Sequence, residues 1–249
     1  MDDLDECQSG AQGAACGYNA FWTDPGTRLI RIGGQARTSI LTNRNGRMPY
    51  RPEARSRAGR PRGDAYEGPE SRGLGERCIV GFGGTAGPPM MPVLYNNHYQ
   101  IQQAADHVVI VVEMVHDART IRLKDKHGNI PTWMGDSVGH WEGETLVVES
   151  VNFRPDQTFR GATKDMRVIE RFTRVSPQQI LYQWEVHDPA TFTEPVKGEE
   201  ALNAIKGQVY EYACHEGNYG LVGILAGARE AEKTGRALDQ NAPREEGGN

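Results

Sequence analysis

Alternation of apolar and polar residues, the two-residue period of an extended strand, dominates the chain after about residue 95. The strongest strand signal lies at 107–123, where the apolar run VVIVVEMV is followed by HDARTIRL. Weaker or shorter examples of the same period predict further strands. The predicted strands cover residues 28–32, 38–42, 99–103, 107–123, 142–153, 166–175, 180–187 and 209–214.

Short connections with turn-forming residues separate these strands. KDKHGN at 124–129 and SPQQ at 176–179 have the composition of hairpin turns. Helices are predicted only near residues 52–57 and at 220–233. The pattern therefore predicts a mainly β fold, an antiparallel calycin-like or lipocalin-like barrel or sandwich over residues 91–235. The inside of such a barrel can hold one small ligand.

The first 90 residues lack this period and are rich in structure breakers. Residues 43–77 contain nine arginines and predict a long surface loop, with a basic arm for an anionic partner as the alternative. GFGGTAGPPMMP at 81–92 has no GxxxxGK[ST] motif, and its adjacent prolines exclude a helix directly after the glycines, so we expect no phosphate loop. We predict that residues 1–90 wrap irregularly around the barrel within the same domain and that residues 236–249 form a disordered tail.

Composition excludes several classes of function. The net charge of −5 argues against a general nucleic-acid binder. No run of about 18 apolar residues is present, so we expect no membrane span. Met1 precedes acidic residues rather than an apolar signal segment, although a trimmed N-terminus would look the same.

The four cysteines are an even number and form no CxxC motif, which disfavours a zinc knuckle or a thioredoxin-like site. We predict two disulfides, Cys7–Cys16 and Cys78–Cys214, with buried free thiols as the alternative. Two disulfides indicate an oxidising compartment, so we expect a periplasmic or secreted protein.

Ionisable residues among apolar strand positions are the first candidates for chemistry, because burial forces them to pair or to shift their pKa. Glu113 and Glu170 have the most apolar flanks, and Glu149 is a weaker case. Surface positions on a half-exposed sheet are the alternative for all three. Arg119 and Arg171 are candidate partners, and they would also bind an anionic or carbonyl oxygen.

Three histidines lie in dense polar clusters: His116 in HDAR, His140 in GDSVGHWEGE and His215 in YACHEGNY. Imidazole titrates near neutral pH and can take and return a proton. His140 is the first candidate for a general acid or base, because we interpret residues 134–141 as a loop that enters the strand at 142–153. His116 is the complementary candidate. The other histidines are assigned structural roles: His98, His107, His127 and His187.

Further residues complete the predicted site. Asp136 or Glu142 would orient His140, and Trp141 would form an aromatic wall beside it. Substrate contacts, or support for the Cys78–Cys214 bridge, are assigned to His215 and Glu216. Candidate oxyanion donors besides Arg119 are Arg160 and Asn218. No organic cofactor is expected, and a metal held across separate strands stays an alternative although HxH, HxxxH and HExxH are all absent. Ser137 is disfavoured as a nucleophile because GDSVG is not the GxSxG elbow.

Five blocks of the sequence also resemble a known family. They are YNNHYQI at 95–101, VEMVHDAR at 112–119, WMGDSVGHWEGETLVVESVNF at 133–153, VIERFTRV at 168–175 and YEYACHEGNYGL at 210–221. Together they resemble a family of uncharacterised secreted bacterial proteins, over most of residues 18–230. The resemblance implies export and supplies no mechanism.

Two functions fit these observations. The favoured one is a cofactor-independent enzyme that performs proton transfer on a small organic molecule in a β-barrel cavity, as a lyase, isomerase or hydrolase. The alternative is a non-catalytic periplasmic lipocalin-like binding protein for a small molecule. A proton-transfer site needs ionisable groups that converge, so the positions of Glu113, His116, His140 and Glu170 discriminate between the two. The oligomeric state is left open.

Overall fold

The computed structural model describes residues 29–55, 66–93, 96–155 and 158–235. This part of the chain is mainly β, as predicted, and ends in one longer helix. The strands are β1 (Arg31–Ile32), β2 (Gln35–Ala36), β3 (Tyr99–Gln103), β4 (His107–Val112), β5 (Ala118–Leu123), β6 (Asp136–Glu142), β7 (Thr145–Val151), β8 (Arg167–Ser176), β9 (Gln179–His187) and β10 (Val196–Asn203). The α-helices are α1 (Pro52–Arg55) and α2 (Tyr219–Thr234), and short 3₁₀ turns lie at Arg44–Gly46, Pro69–Ser71, Phe82–Gly84, Met114–His116 and Phe159–Gly161.

Strands β3 to β10 form one eight-stranded sheet that curls into a half-barrel, in the order β10-β9-β8-β7-β6-β5-β4-β3. Every neighbouring pair is antiparallel except β5 and β6, which run parallel. The expectation of a purely antiparallel sheet is therefore wrong. Residues 124–135, which include KDKHGN, do not form a hairpin; they carry the chain back to the start of β6, and this return makes the pair parallel.

The central stretch also differs from its predicted division into a loop and a strand. Residues 136–141, expected to lie in a loop, belong to β6, and Gly143 and Glu144, expected in the strand 142–153, form the two-residue turn that joins β6 to β7. Gly143 has a φ of 60°, a conformation that such hairpin turns require and glycine adopts freely. Gly139 lies in the strand because a Cβ there would come within 2.8 Å of Ile121 Cγ2. Gly139, which suggested a loop, therefore serves a close packing contact, and Gly143, predicted to lie in the strand, forms the turn.

The last strand is β10, which the sequence pattern did not predict, and residues 209–214 are not a strand. β10 pairs with β9 over eight residues, so tertiary pairing overrides its poor alternation. Gly198 allows this pairing, because a Cβ would lie 2.2 Å from the indole ring of Trp184.

The hydrophobic core lies on the inner face of the half-barrel, where alternate residues of the strands meet. Residues 40–42 extend this structure by pairing with the free edge of β10: Thr42 N–H donates to Lys197 O, and Glu199 N–H donates to Ile40 O. This contact packs the described part of the N-terminal segment against the sheet. The largest buried core side chains include Trp184, Tyr182, Phe192, Met90, Ile110 and Ile121.

A disulfide links Cys78 to Cys214, as predicted, with 5.7 Å between the Cα atoms. It ties the segment before β3 to the segment before α2. The predicted Cys7–Cys16 pair lies outside the described residues. No helix in the described ranges is long and apolar enough to cross a membrane.

Candidate functional site

The turn between β4 and β5, residues 113–117, has the most unusual backbone near any predicted site residue. Val115 and His116 both adopt left-handed conformations, with φ of 57° and 45°. This conformation is unfavourable for a β-branched residue such as valine and persists only where the surroundings fix it. The backbone N–H of Glu113 donates to His98 O at 3.0 Å, and that of His116 to Glu113 O at 3.2 Å. The turn is therefore held in one shape against the residue before β3.

A carboxylate and an imidazole meet at this turn. Glu113 Oε2 lies 2.5 Å from His98 Nδ1, and Glu113 Oε1 accepts a hydrogen bond of 2.9 Å from Asn96 Nδ2. The Glu113 side chain is 2% exposed, whereas that of His98 is 41% exposed. Because Nδ1 faces the carboxylate, the carboxylate favours the tautomer that carries the proton there and leaves Nε2 free to accept a proton. A buried carboxylate that orients a half-exposed imidazole is the arrangement of a general base.

Asp117 ends the same turn and is buried. Its Oδ2 accepts a 2.6 Å hydrogen bond from the backbone N–H of Gly81. Burial raises the pKa of Asp117 to about 6, although the Gly81 N–H and the charge of His116 oppose this shift. Glu113, His116 and Asp117 therefore place three titratable groups on one five-residue turn. Nowhere in the described ranges do three His, Cys, Asp or Glu side chains lie close enough together to hold a metal ion.

Glu170 and Arg119, both predicted site residues, meet on the inner face of the sheet. The Arg119 guanidinium contacts both carboxylate oxygens, with Nη2 2.8 Å from Oε1, and both side chains are at most 2% exposed. Tyr182 donates to Glu170 Oε1 at 2.7 Å and accepts from Met90 N–H at 2.8 Å. The Arg119–Glu170 pair links β5 to β8. Because both Glu170 oxygens are paired and closed off from solvent, the pair offers no open site for a ligand.

A second carboxylate on the inner face lacks such partners. Glu200, on β10, is 7% exposed, and its Oε1 has no hydrogen-bond partner. Burial raises the pKa of Glu200 to about 7, opposed by the nearby indole N–H of Trp184. That contact falls short of hydrogen-bond geometry, so Trp184 Nε1 is unpartnered as well. Burial, with a smaller effect from Glu200, also raises the pKa of Tyr99 on β3.

His140 lies on the outer face of the sheet, with its side chain 65% exposed. Its Nε2 is 3.2 Å from Glu142 Oε1, and Glu142 Oε2 accepts from Arg171 Nη1 at 2.7 Å. Asp136, the other predicted orienting group, binds Arg122 Nη1 at 2.7 Å instead. His140, Glu142 and Arg171 form an exposed chain of ion pairs, and Arg122 with the mostly buried Asp136 forms a separate pair.

The remaining predicted residues lie elsewhere. Asn218 is the N-cap of α2, where its Oδ1 accepts from Leu221 N–H at 3.4 Å. His215 and Glu216 are exposed in the turn before this helix, and Trp141 is 45% exposed at the end of β6. The predicted site residues are thus distributed over the 113–117 turn, the inner face, the outer face and the start of α2. Glu113, His116, His140 and Glu170 do not converge on one site.

Sequence reasoning assigned His98 a structural role, and the structure pairs it with Glu113. A signal for this contact was available in the two predicted strands. Tyr99 pairs with Val112 in the antiparallel register, so His98, which precedes Tyr99, faces Glu113, which follows Val112. Pairing the strands on paper would have placed His98 opposite Glu113.

The structure also contains a cavity of about 360 Å³, which sequence reasoning did not predict. Its lining comes from residues 73–75, from the glycine- and proline-rich segment 81–91, and from residues 153–166.

A scan of protein-family models found none that matches this chain, and searches of curated proteins and of solved structures found no match either.

Proposed function

We propose that this protein is a cofactor-independent enzyme that transfers protons on a small organic molecule, with His98 and Glu113 as its acid–base pair. The observation that carries this proposal is the 2.5 Å contact between the buried Glu113 carboxylate and the half-exposed His98 imidazole. General acid–base groups of this kind contribute about 10²- to 10⁴-fold to a rate. The left-handed turn at Val115 and His116 supports the proposal, because such strain accumulates at functional sites.

Each residue has a defined role in this proposal. His98 Nε2 takes a proton from the substrate and returns it, while Glu113 orients the ring and stabilises the imidazolium. Asn96 holds the second oxygen of Glu113. His116, exposed on the same turn, is the complementary acid or base. This set of roles suits a lyase, an isomerase or a hydrolase.

The proposal retains two finer expectations. The curled sheet supports a calycin-like fold, and the Cys78–Cys214 bridge supports a periplasmic or secreted location, where disulfides persist. A site built from Glu113, His116, His140 and Glu170 has lost its support, because these residues do not converge, and the proposal rests on the His98–Glu113 contact instead. Arg119, Glu170 and Glu200 place ionisable groups on the inner face, which disfavours a carrier of apolar ligands.

The test is solvent deuterium incorporation. Wild-type protein is incubated in D₂O with a library of small organic acids, ketones and esters, and mass spectrometry detects exchange, elimination or hydrolysis. We expect His98→Ala to lower the rate on any compound found by about 10²-fold or more, and Glu113→Gln by about 10-fold or more, since acid–base catalysis contributes on this scale.

His140→Ala is the matched control, because it removes another histidine that contacts a glutamate, on the outer face. It should leave the rate unchanged. Loss of turnover in His140→Ala with full activity in His98→Ala would move the catalytic base to the outer face. A wild-type protein that binds library compounds but never changes their mass would favour the binding-protein alternative.

A further inference from the structure

The 360 Å³ cavity lies between the glycine- and proline-rich segment and the residues that follow β7. Its volume falls within the range of natural small-molecule sites, which runs from about 300 to 1,000 Å³. The cavity and the His98–Glu113 pair are different sites, because neither His98 nor Glu113 lines the cavity. Its function can therefore be argued and tested independently of the proposed catalysis.

The inner walls of the cavity are apolar and rigid. Phe153, Phe159, Met91 and Met166 line it, and each is at most 9% exposed. Phe159 also packs edge-on against Trp184, with 5.5 Å between the ring centroids. Because core packing fixes these side chains, the cavity is largely preformed for an apolar body.

Phe82 is an exposed part of the cavity lining. It is 37% exposed although it is a large apolar side chain. Gly75 allows this arrangement, because a Cβ there would come within 2.5 Å of the Phe82 ring. An aromatic ring held in this way can cover one face of a bound molecule.

One charged residue, Arg160, lines the cavity, and Thr158 beside it supplies a hydroxyl group. Arg160 adopts a left-handed conformation with a φ of 47°, and its carbonyl accepts a 2.8 Å hydrogen bond from Tyr50 Oη. No ion pair among the described residues uses its guanidinium. A cation next to apolar walls that is paired with no carboxylate of the described ranges is suited to bind an anionic group.

We infer that this cavity binds a small organic anion, a carboxylate with an aromatic or branched apolar body. The carboxylate would pair with the Arg160 guanidinium and accept from the Thr158 hydroxyl. The apolar body would lie between Phe82 and the wall formed by Phe159 and Met166.

The probe for this site is 4-(trifluoromethyl)benzoate, compared with the neutral 4-(trifluoromethyl)benzyl alcohol, in ¹⁹F NMR titrations of the full chain. We expect the benzoate to bind the wild type and to bind Arg160→Gln at least about 10-fold more weakly, because the charged pair is lost. The alcohol should bind both proteins equally. Magnetisation transfer from the CF₃ group to the Phe82 ring protons should be present in the wild type and absent in Phe82→Leu, whereas transfer to the Phe159 ring should remain in both.

Two matched variants accompany this comparison. Arg174→Gln removes an arginine from a distant hairpin and should not change the affinity for benzoate. His98→Ala should not change it either, so failure of the proposed catalysis leaves this inference intact. Absence of benzoate binding to wild type at millimolar concentration, or equal binding to wild type and Arg160→Gln, would overturn it.

Discussion

Glu200→Gln should stabilise this protein above neutral pH. Glu200 is buried on the inner face, and among the described residues its Oε1 has no hydrogen-bond partner and its carboxylate pairs with no cation. Burial raises its pKa from the usual 4.5 to about 7. Glutamine has the shape of the protonated acid and cannot ionise, so the substitution removes the cost of a buried negative charge.

The sign and size of the effect follow from this pKa. A carboxyl whose pKa is raised on folding favours the native state below the unfolded pKa, and this contribution is lost as the pH rises through the folded pKa. The window therefore runs from about pH 4.5 to about pH 7. Each pKa unit corresponds to about 1.4 kcal/mol, so a shift from 4.5 to about 7 predicts a gain of about 3 kcal/mol at pH 8.

Urea unfolding of the wild type and Glu200→Gln at a series of pH values from about 5 to 8 measures this difference. The gap in the free energy of unfolding should be small at the acidic end and should widen to its full value at pH 8. Glu144→Gln makes the same chemical change at an exposed site and controls for net charge. A gap that does not change with pH, or a Glu200→Gln variant that is less stable than wild type at pH 8, would refute the reasoning.

Three further changes have expected effects on stability. Gly198→Ala should destabilise by about 1–3 kcal/mol or more in urea unfolding, because the new Cβ would lie 2.2 Å from an indole ring. Arg119→Met should cost about 3–5 kcal/mol, because it leaves the buried Glu170 carboxylate without its cation. Reduction of Cys78–Cys214 should lower the free energy of unfolding by about 5 kcal/mol in the chain-entropy model, since the bridge spans 136 residues.

Each of these changes has a control. Gly207→Ala adds the same methyl group where no atom lies within 4 Å, and it should be nearly neutral. Arg171→Met breaks an exposed ion pair and should cost about 1 kcal/mol or less. Reoxidation should restore the stability lost on reduction. If Arg119→Met cost no more than Arg171→Met, the inner pair would have no special role.

The sequence pattern predicted the fold where local alternation and core packing agree. β3 was predicted with its observed bounds, and α2 within one residue at each end. β10 was missed because Gly198 and two adjacent glutamates do not alternate clearly; its stability comes from pairing with β9, which is not a local property. β6 was taken for a loop because glycine signals flexibility, whereas Gly139 fits against Ile121.

The site was harder to predict, for a related reason. Glu113 and Glu170 were correctly recognised as unusual, and both are buried beside specific partners. Local sequence density favoured His140, because it lies among many polar residues. On the exposed face of the strand, however, these polar side chains pair with one another and form a surface network of ion pairs. The contact between His98 and Glu113 depends on strand register, which a scan for dense clusters ignores.

The parallel pairing of β5 and β6 divides the sheet into two units. β3–β5 and β6–β10 are each an antiparallel series of neighbours, whereas the two series meet over only three registered residue pairs. Arg119 reaches from β5 to Glu170 on β8, and Arg122 reaches from β5 to Asp136 on β6. These two ion pairs stabilise the junction between β5 and β6, one on each face of the sheet. We expect native-state hydrogen exchange to reveal two cooperative units that separate at this junction before global unfolding, with the smaller β3–β5 unit opening first.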